Sequence, residues 1–439
     1  MFQKAATTIR WTLVVIGIFL VFQMVSGVFA WVSGGSITDL VWLLAGDLAQ
    51  DSQENTNFLV MGIGGEQHLT DVFMIASYNN KLKTVTMLSI PRDLYIKSED
   101  GYGMRVNAIY DYEKEKTEDS KLALEAAAQI ASKIADIPIH YYIKLDFEAF
   151  KDMVDALGGV KVTVDTEIND PYFPCDNLID YCPFKILPGV YDMNGETALK
   201  YSRSRETTSD FDRAARQQKV IEAIREKALE EGILTNPKKL RDLYSIFEER
   251  VETNLQWREI LALGKIANEF NKQNLAQFVL NNEKNQTGGL LYSPNREDYG
   301  GASVLIPQGE NLSNIHRFAQ ILFNHPRVAI DQIPIEVLNA SGRSGIAEKV
   351  AYDLNRYALN TEKINNYPGE DIPHTKIFYY DTVSATETLG VLRNFIDVIP
   401  EVGPVELQQR GFGITIVLGE DGKDIEKEAA NKIPATAED

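Results

Sequence analysis

Residues 11–32, WTLVVIGIFLVFQMVSGVFAWV, carry no charged side chain and only a few polar ones. As a helix rising about 1.5 Å per residue, a run of this length reaches across a hydrocarbon layer roughly 30 Å thick. Lys4 and Arg10 precede the run, whereas Asp39, Asp47, Asp51 and Glu54 follow it. The positive-inside bias then leaves residues 1–10 in the cytoplasm and everything beyond residue 32 outside. Trp11 and Trp31 stand near the two ends, where interfacial aromatics belong. A cleaved signal peptide is the competing reading. The run is long for a signal-peptide core, and no clear Ala-x-Ala site follows it, so the pattern favours an uncleaved single-pass anchor.

The chain of 439 residues is long enough for two or three domains. A hydrophobic share of 44% and a charged share of 24% allow large cores that need no staples. The formal net charge of -19, with no long Lys/Arg run, argues against a nucleic-acid surface, which needs a basic patch. Cys175 and Cys182 are the only cysteines and stand in the polar, proline-flanked FPCDNLIDYCPF. Outside a membrane such a pair tends to be oxidised; two independent buried thiols is the alternative.

Residues 33–56 read as a membrane-proximal linker and 57–325 as the main domain. Within it, Phe58–Ile63, Val72–Tyr78, Thr84–Ile90, Tyr141–Leu145 and Val160–Val164 have the β-branched and apolar runs of strands. Residues 120–135 and 147–157 are helical in period, the second closed by Gly158-Gly159. The alternation predicts an α/β fold, a sheet flanked by helices on both faces. A second, small α/β domain is predicted over 334–420, starting at IEVLNASG. Residues 421–439 form a charged, Ala-rich tail expected to be disordered.

Chemistry concentrates in the main domain. Arg203, Arg205, Arg213 and Arg216 fall within fourteen residues, and from Arg213 onward the pattern is helical, with Val220, Ile221, Ile224 and Ala228 on one stripe. Arginine suits phosphate because its planar, permanently charged fork makes paired hydrogen bonds. Gln217 lies four residues beyond Arg213, at the edge of the apolar stripe. A salt-bridged surface loop before an ordinary amphipathic helix is the competing reading. Upstream, Leu69-Thr70-Asp71 places a carboxylate at the mouth of a strand, and Ser89-Ile90-Pro91-Arg92-Asp93 ends another. Ligands of open α/β sheets bind beyond the carboxyl ends of strands. Asp71 could instead cap a turn or pair with Arg92. Taken together, an aspartate, several arginines and no nucleophile motif suit a diphosphate with a divalent cation such as magnesium.

These same segments carry a resemblance. LTD, SIPRD, RVNAIY, DFEAFKDMVDALGGV, LPGVYDMNGETALKYSRSR and DFDRAARQQKVI, in this order, resemble the LytR-CpsA-Psr (LCP) family from about Asn57 to Glu230, and more loosely to about residue 325. IEVLNASGRSGIAEKVAYDL resembles the LytR C-terminal domain. The resemblance implies an LCP-type α-β-α domain with a central mixed sheet. It also implies a membrane-anchored extracytoplasmic phosphotransferase that moves a glycopolymer from a polyprenyl-diphosphate carrier to peptidoglycan, with Mg2+ or Mn2+ at the diphosphate. By position it makes Asp71 a metal ligand, Arg92 a diphosphate ligand with Asp93 beside it, and Arg203, Arg205, Arg213 and Gln217 parts of the catalytic set. Arg105, Asn107 and Arg216 fall among substrate-binding positions. The family's second aspartate, just after the first strand, is Gly64 here, and Glu66 is the nearest carboxylate that could replace it. Val72 stands where the family has a threonine. Two other activities use the same arginines: hydrolysis of the lipid diphosphate by water, and binding of wall or lipid diphosphate without turnover.

Overall fold

The computed structural model describes residues 45–64, 69–97, 103–173, 181–204, 210–230, 250–269, 271–309 and 311–422. The predicted anchor at 11–32 and residues 423–439 of the tail lie outside these, whereas Asp421, counted with the tail, accepts from Thr375 N at 2.7 Å. Among the described residues no helix is long and apolar enough to cross a membrane.

The main domain is built on a six-stranded mixed sheet. Strand β1 (Asn55–Gly64) runs antiparallel to β2 (Leu69–Asn79), which runs antiparallel to β3 (Thr84–Ser89). A short ribbon, β4 (Tyr95–Lys97) with β5 (Gly103–Arg105), leads to helices α1 (Ile109–Thr117) and α2 (Ser120–Ala135). Strand β6 (Tyr141–Asp146) then pairs parallel with β1. Because β1 is buried along nearly its whole length, the apolar run FLVMGIG has no polar alternation to show, as expected for a strand covered on both faces. On one face Leu59, Met61, Ile63, Phe73, Ile75 and Leu88 meet the Ala-rich stripe of α2, Ala123, Ala127 and Ala131. Asp119 starts that helix by accepting hydrogen bonds from the backbone of Lys121 and Leu122, the usual work of an aspartate N-cap.

Helix α3 (Phe147–Ala156) follows β6 directly, with Asp146 as its cap accepting from Ala149 N at 2.7 Å. It closes at Gly158 and Gly159, both at positive φ (79° and 89°), which glycine adopts without strain. The next strand, β7 (Val160–Val164), departs from the single-sheet expectation. With β8 (Ile168–Asp170), β9 (Phe184–Ile186) and β10 (Gly189–Met193), it forms two-stranded pairs, β7 with β10 and β8 with β9, beside the main sheet. The reason is visible in its burial: Val160, Val162 and Val164 face a second core while Lys161 and Thr163 face water. A one-sided strand needs cover on one face only, whereas the central positions need it on both. Helices α4 (Gly195–Arg203) and α5 (Asp210–Glu230) pack on this second core through Ala198, Tyr201, Val220 and Ala223.

The sheet is completed by β11 (Val251–Thr253) against β6 and, after α6 (Trp257–Glu269), by β12 (Leu275–Val279) parallel to β3. Its order is β11-β6-β1-β2-β3-β12. Leu255, Ile260 and Leu263 cover Phe58 and Tyr141 on the face away from α2. The sheet is thus flanked by helices on both sides.

After the short pair β13 (Leu291–Tyr292) and β14 (Ile306–Pro307), helices α7 (Ser313–Asn324) and α8 (Pro326–Asp331) lead into the C-terminal unit. There β15 (Ile335–Asn339), β16 (Thr361–Asn366), β17 (Lys376–Tyr379), β18 (Glu401–Val402) and β19 (Ile414–Leu418) form a sheet of order β16-β15-β19-β17-β18. Its own core runs on into that of the main domain: Tyr357 lies 6.5 Å from Phe318 and 5.0 Å from Phe395. Arg356, 3% exposed, ties the two by donating to Gly289 O and to Gln308.

Candidate active site at the carboxyl edge of the sheet

Strands β1, β6, β3 and β12 are mutually parallel, so their carboxyl ends share one edge, at Gly64, Asp146, Ser89 and Val279. The antiparallel β2 begins at the same edge. Gly62 pairs with Val72 but Ile63 pairs with Thr70, which leaves Asp71 as the extra residue of a β-bulge. A bulge turns its unpaired residue out of the regular alternation. Asp71 thereby points to Arg92, which leaves β3 two residues past Ile90, and the ion pair closes at 2.9 Å. The salt-bridge alternative for Asp71 is therefore the geometry observed.

The pair extends into a row of alternating charge. Asp93 Oδ2 lies 3.7 Å from Arg92 Nε, and Asp93 Oδ1 accepts from Arg105 at 3.3 Å. Arg105 comes from β5, folded over the edge by the ribbon, and Asn107 N donates to Arg92 O at 3.0 Å. Two polar atoms in this row have no hydrogen-bond partner in the protein: Arg92 Nε and Asn107 Oδ1, the latter on a side chain 2% exposed. Buried polar groups are ordinarily satisfied, so a guanidinium donor and an amide oxygen left over in one row suit a ligand that brings partners for both.

The arginine-rich segment reaches the same edge from the other side. Asn194 caps α4 by accepting from Thr197 N, and the helix delivers Arg203 from its last turn. The Arg203 guanidinium lies 3.9 Å from the centroid of Phe147 and 5.4 Å from that of Phe173. Phe147 in turn packs against Gly64, so a Cβ added at Gly64 would overlap the Phe147 ring. Arg203 is thus linked through Phe147 to the end of β1, next to the Asp71 bulge.

Arg216 and Gln217 have a different place from that expected of ligand contacts. Arg216, 6% exposed, donates from Nε to Tyr201 O at 3.0 Å and from its outer nitrogen to Ser204 O. Gln217 makes a long bond of 3.5 Å to Ser202 O. Both hold the carboxyl end of α4, the part that carries Arg203. Arg216, expected among substrate-binding positions, is seen here satisfying helix-end carbonyls, which need partners when buried. Burial pushes the Tyr201 phenol up, with the Arg216 charge opposing. Gln218, unremarked in the sequence, bonds Ser89 Oγ and Phe278 O at 3.1 Å and docks α5 on the β3–β12 edge. Ser204 Oγ bonds Asp170 at 2.8 Å. No pattern in the sequence distinguishes Phe147, Asp170 or Gln218; each acquires its role only from the packing of α4 and α5.

Glu66 and Arg205 lie outside the described residues, as does the Arg213 side chain, whose backbone belongs to α5. Val154 on α3 and Leu157 at its C-cap are buried in the core. Cys182 is disulfide-bonded, and the sequence offers one other cysteine, Cys175.

Comparison with known proteins follows the same residues. Residues 42–309 match the model of the LytR_cpsA_psr family, and 332–421 match that of LytR_C, described as the LytR cell envelope-related transcriptional attenuator. The polyisoprenyl-teichoic acid–peptidoglycan teichoic acid transferase TagU of Bacillus licheniformis is 27% identical over 248 residues, 55% of this chain and 73% of that protein. The cell wall biosynthesis protein LcpA of Corynebacterium glutamicum is 26% identical over 372 residues, 75% of this chain and 67% of that protein. The transferase TagV of Bacillus subtilis is 28% identical over 275 residues, 60% of this chain and 63% of that protein. The crystal structure of B. subtilis TagV gives a TM-score of 0.46 at 23% identity, over 62% of this chain and 97% of that one.

Proposed function

The chain belongs to the LytR-CpsA-Psr family, and on that premise we propose that it transfers a glycopolymer from a polyprenyl-diphosphate carrier to peptidoglycan. The observation that carries the reading is the edge itself. Arg92 is paired with Asp71 and faces Asp93, yet its Nε makes no hydrogen bond, and Asn107 Oδ1, on the residue whose backbone bonds Arg92 O, is likewise unsatisfied. Arg203 is delivered to the same edge on an aromatic support. The names of the relatives, teichoic acid transferases among them, support the class of donor and acceptor.

The chemistry follows from charge. An acceptor hydroxyl attacks the phosphorus that bears the polymer, the bond to the bridging oxygen breaks, and polyprenyl phosphate leaves. Negative charge spreads over the phosphoryl oxygens and the leaving group, and fixed guanidinium groups answer it without reorganising. Arg92 and Arg203 bind and orient the diphosphate; Arg205 and Arg213 belong to the same set by family position. Asp93 turns one oxygen to Arg105 and one toward Arg92, and so adds negative charge that holds both guanidinium groups at the edge. We assign it as the carboxylate that receives the hydroxyl proton. Magnesium or manganese belongs to this reading as well. Asp71 would carry the ion together with diphosphate oxygens, since magnesium is commonly held by one or two carboxylates plus substrate phosphates. Bound there, it would add Lewis-acid charge to the phosphoryl group.

We place the reaction outside the cell. The uncharged run at 11–32, its flanking charges and the oxidised Cys182 support a single-pass anchor with the main domain in an oxidising compartment. The test is Arg92→Ala in the full membrane-bound chain, given a lipid-diphosphate-linked polymer and peptidoglycan. Transfer is expected to slow about 100-fold or more, as for loss of one preorganised donor. Transfer at the wild-type rate would refute the site.

A further inference from the structure

We propose that Arg356, in the C-terminal unit, is a positioning residue for the site, which rests on the reading of the edge as a diphosphate site. It acts through residues 280–308 on the loop that carries Arg92 and Asp93. β3 ends at Ser89, and the loop turns beyond Pro91, where Leu94 N donates to Pro91 O at 3.0 Å. That loop is held from both sides. Ahead of it, Leu280 N donates to Ser89 O at 3.0 Å. Past Arg92, Leu305 N donates to Asp93 O at 2.9 Å, and Tyr95 N donates to Leu305 O at 2.8 Å. Tyr299 adds an edge-to-face contact on the Tyr95 ring, with centroids 4.9 Å apart. One continuous segment, 280–308, thus grips the Arg92 loop at both of its ends.

The segment is held in turn by the C-terminal unit. Its two arms meet as β13 and β14, and Gln308 N donates to Leu290 O at 2.8 Å. Arg356 ends helix α9 (Ile346–Arg356) and binds both arms at once. Its Nε donates to Gly289 O at 3.0 Å, on the arm that leaves Leu280. An outer nitrogen donates to Gln308 Oε1 at 2.7 Å, on the arm that returns through Leu305. Gln308 donates back to Gly289 O and Leu291 O, which locks the arms together. The backbone joins in: Gly288 N donates to Arg356 O at 2.9 Å, and Thr287 Oγ1 donates to Asn355 O at 3.0 Å. Gly288 and Gly289 lie so close to the Val279 and Glu283 carbonyls that neither has room for a side chain. A buried guanidinium is costly unless its donors are used, so few arrangements of α9 and the two arms satisfy Arg356. Asp353, 3.7 Å away, supplies the opposing charge. Without Arg356 the arms can part, and the loop gains freedom at Ser89 and at Asp93 together. The C-terminal unit therefore belongs to the machinery that presents Arg92 to the diphosphate.

The experiment uses the full chain in detergent micelles, with hydrogen exchange read by mass spectrometry over residues 90–96 and affinity measured for methylene diphosphonate. Arg356→Ala should raise exchange over 90–96 about tenfold or more, as for loss of a charged hydrogen bond, and should weaken diphosphonate binding. Arg356→Lys, which keeps the charge without the fork, should fall in between. Arg410→Ala, which removes bonds to Glu336 within the C-terminal unit, should raise exchange at 335–339 and 414–418 and leave 90–96 alone. Unchanged exchange over 90–96 in folded Arg356→Ala overturns the proposal. An equal rise there with Arg410→Ala also overturns it, because that marks general loosening. So does a rise in exchange with diphosphonate affinity unchanged, which is a structural role only. If Arg356→Ala fails to fold, Arg356→Lys decides by the same readouts. A wild-type chain that binds no diphosphonate refutes the diphosphate reading instead, whereas the exchange over 90–96 tests the link from Arg356 to the loop independently of it.

Discussion

Arg216 gives the sharpest test of how the arginine segment works, because its family position and its geometry lead to different outcomes. If it touched the donor, Arg216→Ala would weaken donor binding and leave the fold alone. In the structure the side chain is 6% exposed and donates to the carbonyls of Tyr201 and Ser204, which flank Arg203. A hydrogen bond from a charged donor contributes about 1.5–3 kcal/mol net, and a buried acceptor left without a partner costs a similar amount. Two such bonds, with partial relief from water entering the gap, place the local cost at about 3–5 kcal/mol. At 1.4 kcal/mol per factor of ten, the end of α4 should open roughly 100- to 4,000-fold more often. Hydrogen exchange read by mass spectrometry over residues 195–204 measures this directly, and Arg216→Lys should fall in between. Donor affinity should drop as well, because Arg203 loses its fixed position. Unchanged exchange over 195–204 together with a weakened donor KM would refute the reasoning and restore a direct contact.

Three other outcomes follow from particular contacts. A Cβ at Gly195 would run into the backbone of Lys151, so Gly195→Ala should separate α3 from α4 and cost about 1–3 kcal/mol, seen as a lower thermal midpoint with reduced transfer. His140 accepts Asn57 N–H at its Nδ1, 2.9 Å away, and burial holds its pKa below the ordinary value, with the Asp51 charge partly opposing. The unfolded chain therefore takes up the proton first, so this stability is present above about pH 6.5 and lost as pH falls below it. His140→Gln should lose less thermal stability than wild type between pH 7 and pH 5.5, and equal losses would discount the contact. In the C-terminal unit Glu336 is 0% exposed and held by Arg410 through two hydrogen bonds. Arg410→Ala should raise exchange in residues 335–339 and 414–418, at a cost of about 2–4 kcal/mol that allows for the partial exposure of Arg410.

Much of this was legible in the residue pattern, and the misses share a physical cause. Apolar runs at 58–63, 72–78 and 84–90 announce strands, and the start of the second and the end of the third point to Asp71 and Arg92 without coordinates. That Asp71 would meet Arg92 was one of two open alternatives, and the bulge that decides it depends on pairing with β1, which no local pattern encodes. Val160–Val164 reads as a strand, yet its place outside the main sheet depends on which face finds cover. Thr361–Asn366 was not foreseen, because TEKINN is polar and mostly exposed, and it is a strand only through its partner β15. Arg203 and Arg216 look alike in sequence. One lies on a phenylalanine ring and the other is bound to backbone carbonyls, and only packing separates them. Gly64 is the same kind of case: the departure is plain in the sequence, and the ring that fills it is not.

The central claim is tested most directly by following the polymer. The full chain, in membranes, is supplied with a polyprenyl-diphosphate donor labelled in the polymer, together with peptidoglycan. The account predicts label bound to peptidoglycan through a phosphodiester, one polyprenyl phosphate released per polymer attached, and loss of both with Arg92→Ala. Label released free into water, or donor bound without any turnover, would contradict it.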